Sequence, residues 1–324
     1  MTNPTAKAQA TIMKKKTKAK NKKDWASYDR VLVQRGEMLI PFGLAEDMEQ
    51  ELAEMNSGKE GAQFRYTDRF MECLSFWKCF CKLPYRAVEG IAGRLLNIFG
   101  LAGSKPDHTT INRRLNKLGK KFCKERRKDK TGEPIFAVFD GSGLKVCNRG
   151  EWMHYKHKGK RKGFVRICFL INAKTGEIID FIATTENVSE QSRIRPMIKR
   201  AARNRKIGKL AVDGIGDDYR NFELLRQLKI KPALKPRANA NPDKPIKDKR
   251  HKARHREIKL FKKWGYELWA DKRDYNQRWL VETAFSCFKG YFDEYVYSRG
   301  MSNIKAEIGL KVHCYNQLKL VASC

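Results

Sequence analysis

Four residues near the C-terminus could do chemistry together: Tyr275, Arg278, Glu282 and Lys289, in the stretch YNQRWLVETAFSCFK. At about 100° per residue on a helix they fall near 0°, 300°, 340° and 320°, inside an arc of roughly 60°. Leu280, Ala284, Cys287, Phe288 and Tyr291 take the other side, from about 120° to 220°. The spacing therefore predicts one amphipathic helix with an acid, two cations and a phenol on its polar face. Such a stripe also suits a solvated surface, with Arg278 simply paired to Glu282 at i,i+4.

Two further acids bear on that choice. IFAVFD (135–140) and KLAVDG (209–214) are short apolar runs that read as buried strands, and each ends in an acid followed by glycine, Asp140-Gly141 and Asp213-Gly214. Asp-Gly is a frequent turn dipeptide. An acid at the end of a core strand also sets a carboxylate at the sheet edge, where a glycine lets a ligand approach the backbone. Three carboxylates converging in a basic protein repel one another unless cations lie between them. Mg2+ suits oxygen ligands. Two such ions roughly 3.5–4 Å apart can activate a water or a 3′-hydroxyl and stabilise the leaving oxygen in phosphoryl transfer. Arg278 and Lys289 would then meet DNA phosphates.

Composition points the same way. The 324 residues carry 69 Lys and Arg against 36 Asp and Glu, a net charge of +33. Charge of that size predicts attraction to a polyanion, with nucleic acid the leading partner. No apolar run approaches the roughly 18 residues of a spanning helix, and no secretory segment follows Met1. A membrane partner is therefore not expected, and the chain is placed in the cytoplasm. The nine cysteines form no CxxC pair, which fits a reduced protein without structural zinc. Neither GxGxxG after a strand nor GxxxxGK[ST] occurs, so a nucleotide cofactor has no support.

These residues need elements to position them. Residues 1–23 hold eight lysines and no acid, and read as a disordered basic arm. Residues 24–130 read as helical. DRFMECLSFWKCFCK (68–82) has buried helical periodicity, Pro84 opens a helix at its first position and Gly100 ends it. TTINRRLNKLGKKF follows as a second helix capped by Thr109 or Thr110, carrying Arg113, Arg114, Lys117, Lys120 and Lys121. The pair resembles a helix-turn-helix, with Arg113, Arg114 and Lys117 as DNA-binding candidates. From 131 to 324 the period shifts: a strand at 135–140, a hairpin at 164–185, a strand at 209–214, a helix at 217–228, a strand at IKPALKP, basic helix before 263, and helices to the end. That order predicts a mixed α/β sheet rather than a run of βαβ units. Trp152, in a basic loop, is a candidate for stacking on an unpaired base.

The motifs resemble a known family. Tyr275-x2-Arg278-x3-Glu282-x6-Lys289 is similar to the Y-R-E-K signature of prokaryotic insertion-sequence transposases with an Asp-Asp-Glu site. FDGSGLKV and LAVDGIGDDY resemble that family's first and second acid blocks. DWASYDRVLVQRGEM and LPYRAVEGIAGRLL…PDHTTINRRL resemble the upstream region of the IS-five family, within the IS-four/IS-five superfamily. The likeness spans about residues 24–320. It implies an RNase H-like catalytic domain behind an all-α, helix-turn-helix-like region, and cut-and-paste transposition between terminal inverted repeats and target DNA. It implies Asp140, Asp213 and Glu282 as catalytic and metal-binding residues for two Mg2+, with Mn2+ a substitute. Tyr275, Arg278 and Lys289 would position DNA, and a homodimer would form on the DNA at the nucleoid. The family often has a tyrosine sooner after the second acid, whereas Gly216-Asp217-Asp218 precedes Tyr219, which leaves Asp217 and Asp218 as alternatives to Asp213. A noncatalytic protein that only recognises inverted repeats is the competing reading.

Overall fold

The computed structural model describes residues 24–41, 43–100, 105–124, 132–147, 163–243 and 248–321. The basic arm, residues 101–104 of the expected turn and Trp152 lie outside the described residues. Helices come first: α1 (Trp25–Glu37), α2 (Met48–Asn56), α3 (Asp68–Cys79), α4 (Tyr85–Ile98) and α5 (His108–Lys124). Pro84 stands at the N-cap of α4, one place before the expected position. The cap of α5 is Asp107, not a threonine: its Oδ1 accepts from the backbone N–H of Thr109 at 2.7 Å and of Thr110 at 3.0 Å. Aspartate is as good an N-cap as threonine or better, and here it directly precedes His108, the first helical residue.

The sheet is built on β1 (Ile135–Val146), β2 (Phe164–Asn172), β3 (Ile178–Thr185), β4 (Ile207–Val212), β5 (Lys231–Leu234) and β6 (Tyr295–Val296), in the order β3-β2-β1-β4-β5 with β6 also on β1. β1, β2 and β3 pair antiparallel, while β4 runs parallel to β1 and β5 to β4. The mixed α/β sheet and the 164–185 hairpin stand as expected. β1 does not end at its acid. It continues to Val146 because β2 pairs with it as far as Lys145 and β6 joins it at Lys145 and Val146. Two glycines inside a strand hid this continuation from the sequence reading, since glycine usually weakens strands.

The remaining helices are α6 (Gln191–Ala202), α7 (Tyr219–Gln227), α8 (Lys252–Arg273, non-helical at Gly265), α9 (Trp279–Phe292) and α10 (Met301–Val321). α6 was not foreseen: Arg193, Arg195, Pro196, Lys199 and Arg200 mask a sound apolar face of Ile194, Met197, Ile198 and Ala201. The sheet has a core on each face. Ala137, Phe139, Leu170, Leu210 and Val212 pack on α6 and α7. Val138, Leu144, Phe169 and Ala211 pack beneath α9 and α10, and that core runs on without a break into α3, α4 and α5.

α5 and α10 join the helical segment to the sheet at a very close crossing. A Cβ on Gly119 would lie 2.1 Å from the Ala306 carbonyl oxygen, and one on Gly309 would lie 2.4 Å from the Gly119 oxygen. Backbone atoms cannot step aside as a side-chain tip can. Glycine in mid-helix loses about 1 kcal/mol of helix propensity relative to alanine, so Gly119→Ala on an open helix would stabilise. Here overpacking, about 1–3 kcal/mol, outweighs that gain. Gly119→Ala is expected to lower unfolding stability by about 1–2 kcal/mol as the balance of the two, read from urea denaturation. A stabilised variant would mean that the helices do not cross this closely.

Candidate active site on the β1–β4 edge

Val138 lies opposite Ala211 in the parallel β1–β4 ladder. Side chains alternate faces along a strand, so Asp140 and Asp213, each two residues further on, share the α9 face where β4 leaves β1. The cross-strand neighbour of Asp140 on β2 is Phe169. Its ring stacks on Phe285 at 4.5 Å and meets Phe288 edge-on at 5.1 Å. Thus the residue beside the acid is also the seat of the helix that carries Glu282, one turn before Phe285. Asp213 caps the 3-10 turn Gly214–Gly216, accepting from Ile215 N–H at 3.0 Å.

The predicted single helix is in fact a 3-10 turn, Tyr275–Arg278, followed by α9. The change of helix type at Trp279 breaks the wheel on which four groups shared one face. Tyr275 is consequently buried, its ring 5.1 Å from Trp269, and burial holds its phenol well above the ordinary tyrosine range. It lies in the core instead of on the polar face with Arg278 and Glu282. Trp269 is fixed in turn by Glu257, which accepts from its indole N–H at 2.7 Å and from Arg273 Nε at 2.7 Å. Arg278 Nη1 reaches Asp140 Oδ2 at 3.3 Å, and its Nη2 donates to Glu282 Oε1. The i,i+4 pair expected of a bland surface therefore exists, but its cation also reaches across to the acid of β1. Lys289 is half-buried, about two turns further along α9 on the Glu282 side.

The Asp140 carboxyl is raised to about 6, chiefly by burial and in lesser part by the charges of Asp213 and Glu190, while Gly141 N–H, donating to its Oδ1 at 2.8 Å, and Arg278 pull the other way. Glu190 was not a candidate in the sequence, because it falls between the hairpin at 164–185 and the strand at 209–214, where no element was assigned. Its carboxylate lies against the far face of Gly141, where a Cβ would sit 2.4 Å from Glu190 Cδ, and Arg166 Nε holds it at 3.3 Å. A side chain on residue 141 would displace this carboxyl, so the glycine lets Glu190 lie where it does.

The alternatives to Asp213 are committed elsewhere. Asp217 is buried and held by Arg254 at 2.6 and 2.7 Å and by Arg237 N–H at 3.0 Å. Asp218 caps α7, accepting from Arg220 N–H at 2.9 Å. Among the described residues no three acids, histidines or cysteines are gathered closely enough to hold a metal ion. Asp213 acts on Asp140 through its charge, and Glu282 is linked to Asp140 through the Arg278 guanidinium. The oxygen-only donor set and a carboxyl that burial keeps short of compensation both suit a hard divalent cation.

On α5, Arg113 and Lys117 are exposed. Arg114 is not: its side chain is 13 % exposed, its Nη2 bonds Asp68 Oδ1 at 2.7 Å and its guanidinium lies over Phe64. Arg114 fastens α5 to α3. No helix among the described residues is long and apolar enough to cross a membrane.

Because the folded-state value of Asp140 is raised above its ordinary one, the folded state binds its proton more tightly. The associated stability is fully present below about pH 4 and is lost as pH rises through about 6. Asp140→Asn in EDTA is expected to be more stable than wild type at pH 8 by about 1–3 kcal/mol, and to lose that advantage near pH 4. Equal gains at both pH values in chemical denaturation would contradict a burial penalty.

Comparison with known proteins supplies the family. The model described as "Transposase DDE domain" matches residues 131–317, and a second model of the same description matches residues 33–149. Among solved structures, the chain is similar to a piggyBac transposase in its synaptic complex with hairpin DNA, at a TM-score of 0.37 and 9% identity, covering 90% of this chain and 74% of that one. That likeness is too distant to bear on fold or site. The 131–317 match takes in Asp140, Asp213 and Glu282 and spans more than half of the 324 residues. The chain belongs to the DDE transposase family.

Proposed function

We propose that this protein is an insertion-sequence transposase, of the IS-five kind found in prokaryotes, that cuts DNA at terminal inverted repeats and joins the freed 3′ ends to target DNA. The observation that carries the reading is that Asp140 and Asp213 share one face at the ends of adjacent parallel runs, beneath the 3-10 turn that bears Arg278 and the helix that bears Glu282. The strand order, antiparallel through β1 and parallel beyond it, supports an RNase H-like catalytic domain. The net charge of +33 supports a DNA partner held largely through its phosphates. A homodimer would bring two element ends together, and the protein would act at the nucleoid in the cytoplasm.

Asp140, Asp213 and Glu282 would hold Mg2+ or Mn2+, which when bound supplies activation of the attacking oxygen and charge stabilisation at phosphorus. The chain's own residues supply the remainder. Arg278 cross-links two of the acids through hydrogen bonds, so its guanidinium keeps Glu282 turned toward β1 and neutralises part of the crowding there. Lys289, in the last turn of the same helix, is placed to meet a phosphate further along the strand. Tyr275 acts from beneath: its ring on Trp269 fixes the 3-10 turn from which Arg278 projects. Phe169 and Phe285 set the height of α9 above the strands.

The test uses the full-length protein and a plasmid carrying the gene with its native flanking DNA. With Mg2+, wild type is expected to cut at the inverted repeats, Glu282→Gln to lose at least about a hundredfold in cutting, and the variant's DNA affinity to stay nearly unchanged. Cutting by Glu282→Gln at the wild-type rate would remove that residue from the site. Tight binding without cuts by wild type would favour the noncatalytic reading.

A further inference from the structure

Two cavities meet over α5 and α10. One, of about 780 Å³, is lined by Arg113, Lys117, Lys120 and Lys124. The other, of about 600 Å³, is lined by Lys78, Lys82, Tyr85, Tyr297 and Arg299. Asn112, Asn116 and Asn303 line both, so the two form one groove with asparagines at the junction. Nothing in the chemistry of Asp140 requires this groove.

The face that α5 gives it is uniform. Asn112, Arg113, Asn116, Lys117, Lys120 and Lys124 fall within an arc of roughly 140° at 100° per residue, while Ile111, Leu115, Leu118 and Gly119 are buried on the other side. The helix contains no acid. The two asparagines are joined to each other: Asn116 Nδ2 donates to Asn112 Oδ1 at 2.6 Å and to the Asn112 carbonyl at 2.9 Å. That arrangement leaves an amide N–H2 on Asn112 and an amide oxygen on Asn116, a donor and an acceptor one turn apart. A base edge in the major groove, such as adenine N7 and N6, offers the matching acceptor and donor, and that groove is about 12 Å wide and admits a helix. A membrane surface would want apolar side chains on this arc, and it has none.

We propose that the groove seats duplex DNA, with Asn112 and Asn116 reading base edges and Arg113, Lys117, Lys120 and Lys124 holding phosphates. The inference deepens the transposase reading, on which it rests for the identity of the duplex: the end of the element. Arg114, held on Asp68, takes no direct part.

The experiment measures binding of the full chain to fluorescent duplexes that tile the native DNA flanking the gene, and to a scrambled duplex, over a series of salt concentrations. Wild type is expected to prefer one flanking duplex. Asn112→Ala and Asn116→Ala are each expected to lower that preference by about 5- to 150-fold while keeping the salt dependence. Lys120→Ala is expected to weaken both duplexes alike and to reduce the logarithmic salt slope by about one. Asn112 is exposed, so its truncation leaves the fold intact, and a thermal melt of each variant checks this. An undiminished preference in Asn112→Ala overturns the proposal, as does tighter binding of an acidic polypeptide than of any duplex. Cutting assays separate the two readings. If wild type cuts and prefers an end but the asparagine variants keep that preference, the groove proposal falls and the transposase stands. If the asparagines govern preference yet wild type cuts nothing, the groove stands and the catalytic reading falls.

Discussion

Asp140 is a carboxylate in the middle of a core strand, and much of the surrounding architecture answers its charge. Its neighbours by field are two more acids, Asp213 on the strand beside it and Glu190 behind the following glycine, and they raise the free energy of ionising it. Against them stand one backbone N–H and the Arg278 guanidinium. Together they do not offset burial, since the carboxyl still sits well above an ordinary aspartate. The site is therefore held in an uncompensated state by its own packing. That is a familiar condition for a functional cluster, because acids collected purely for stability would be spread apart or paired one to one.

The rigidity of that arrangement comes from apolar contacts. Phe169 faces Asp140 across the β1–β2 ladder and lies under Phe285 and Phe288, so the position of α9 is read from the same strand pair as the acid. On the other flank Glu257 gathers Trp269 and Arg273, and Trp269 seats Tyr275. Arg254 binds Asp217 and so ties α8 to the turn just after Asp213. Each acid is thus approached by a separate piece of hydrophobic or ionic scaffolding, and none of these pieces lies next to its acid in sequence.

That is why candidate residues could be named from the sequence more readily than their surroundings could be foreseen. Asp140 and Asp213 were legible because each terminates an apolar run, and Glu282 because its spacing matched a stripe. The hairpin and the strand at 209–214 were legible from period and composition, while the parallel pairing of that strand with β1 was not. The extension of β1 past Asp140 was not, because it depends on pairing with β2 and β6, which are distant in sequence. Helical periodicity misplaced Tyr275, because a short 3-10 turn obeys a different angle from the helix it precedes. Glu190 carried no local signal: its significance arises from lying opposite a glycine on another element. Likewise nothing within α5 distinguishes Arg114 from Arg113; the difference is made by Asp68 and Phe64 on the preceding segment.

The crossing of α5 with α10 at Gly119 and Gly309 has a mechanical corollary. Two helices whose backbones touch cannot slide or pivot without collision, and the core on which they lie continues unbroken to Phe169 and the strand that bears Asp140. The surface of α5 and the acids of the sheet consequently keep a constant separation. A polymer lying along α5 would present to Asp140 the linkage a set number of monomers away, so the molecule would measure length by its shape, as a caliper with its jaws locked.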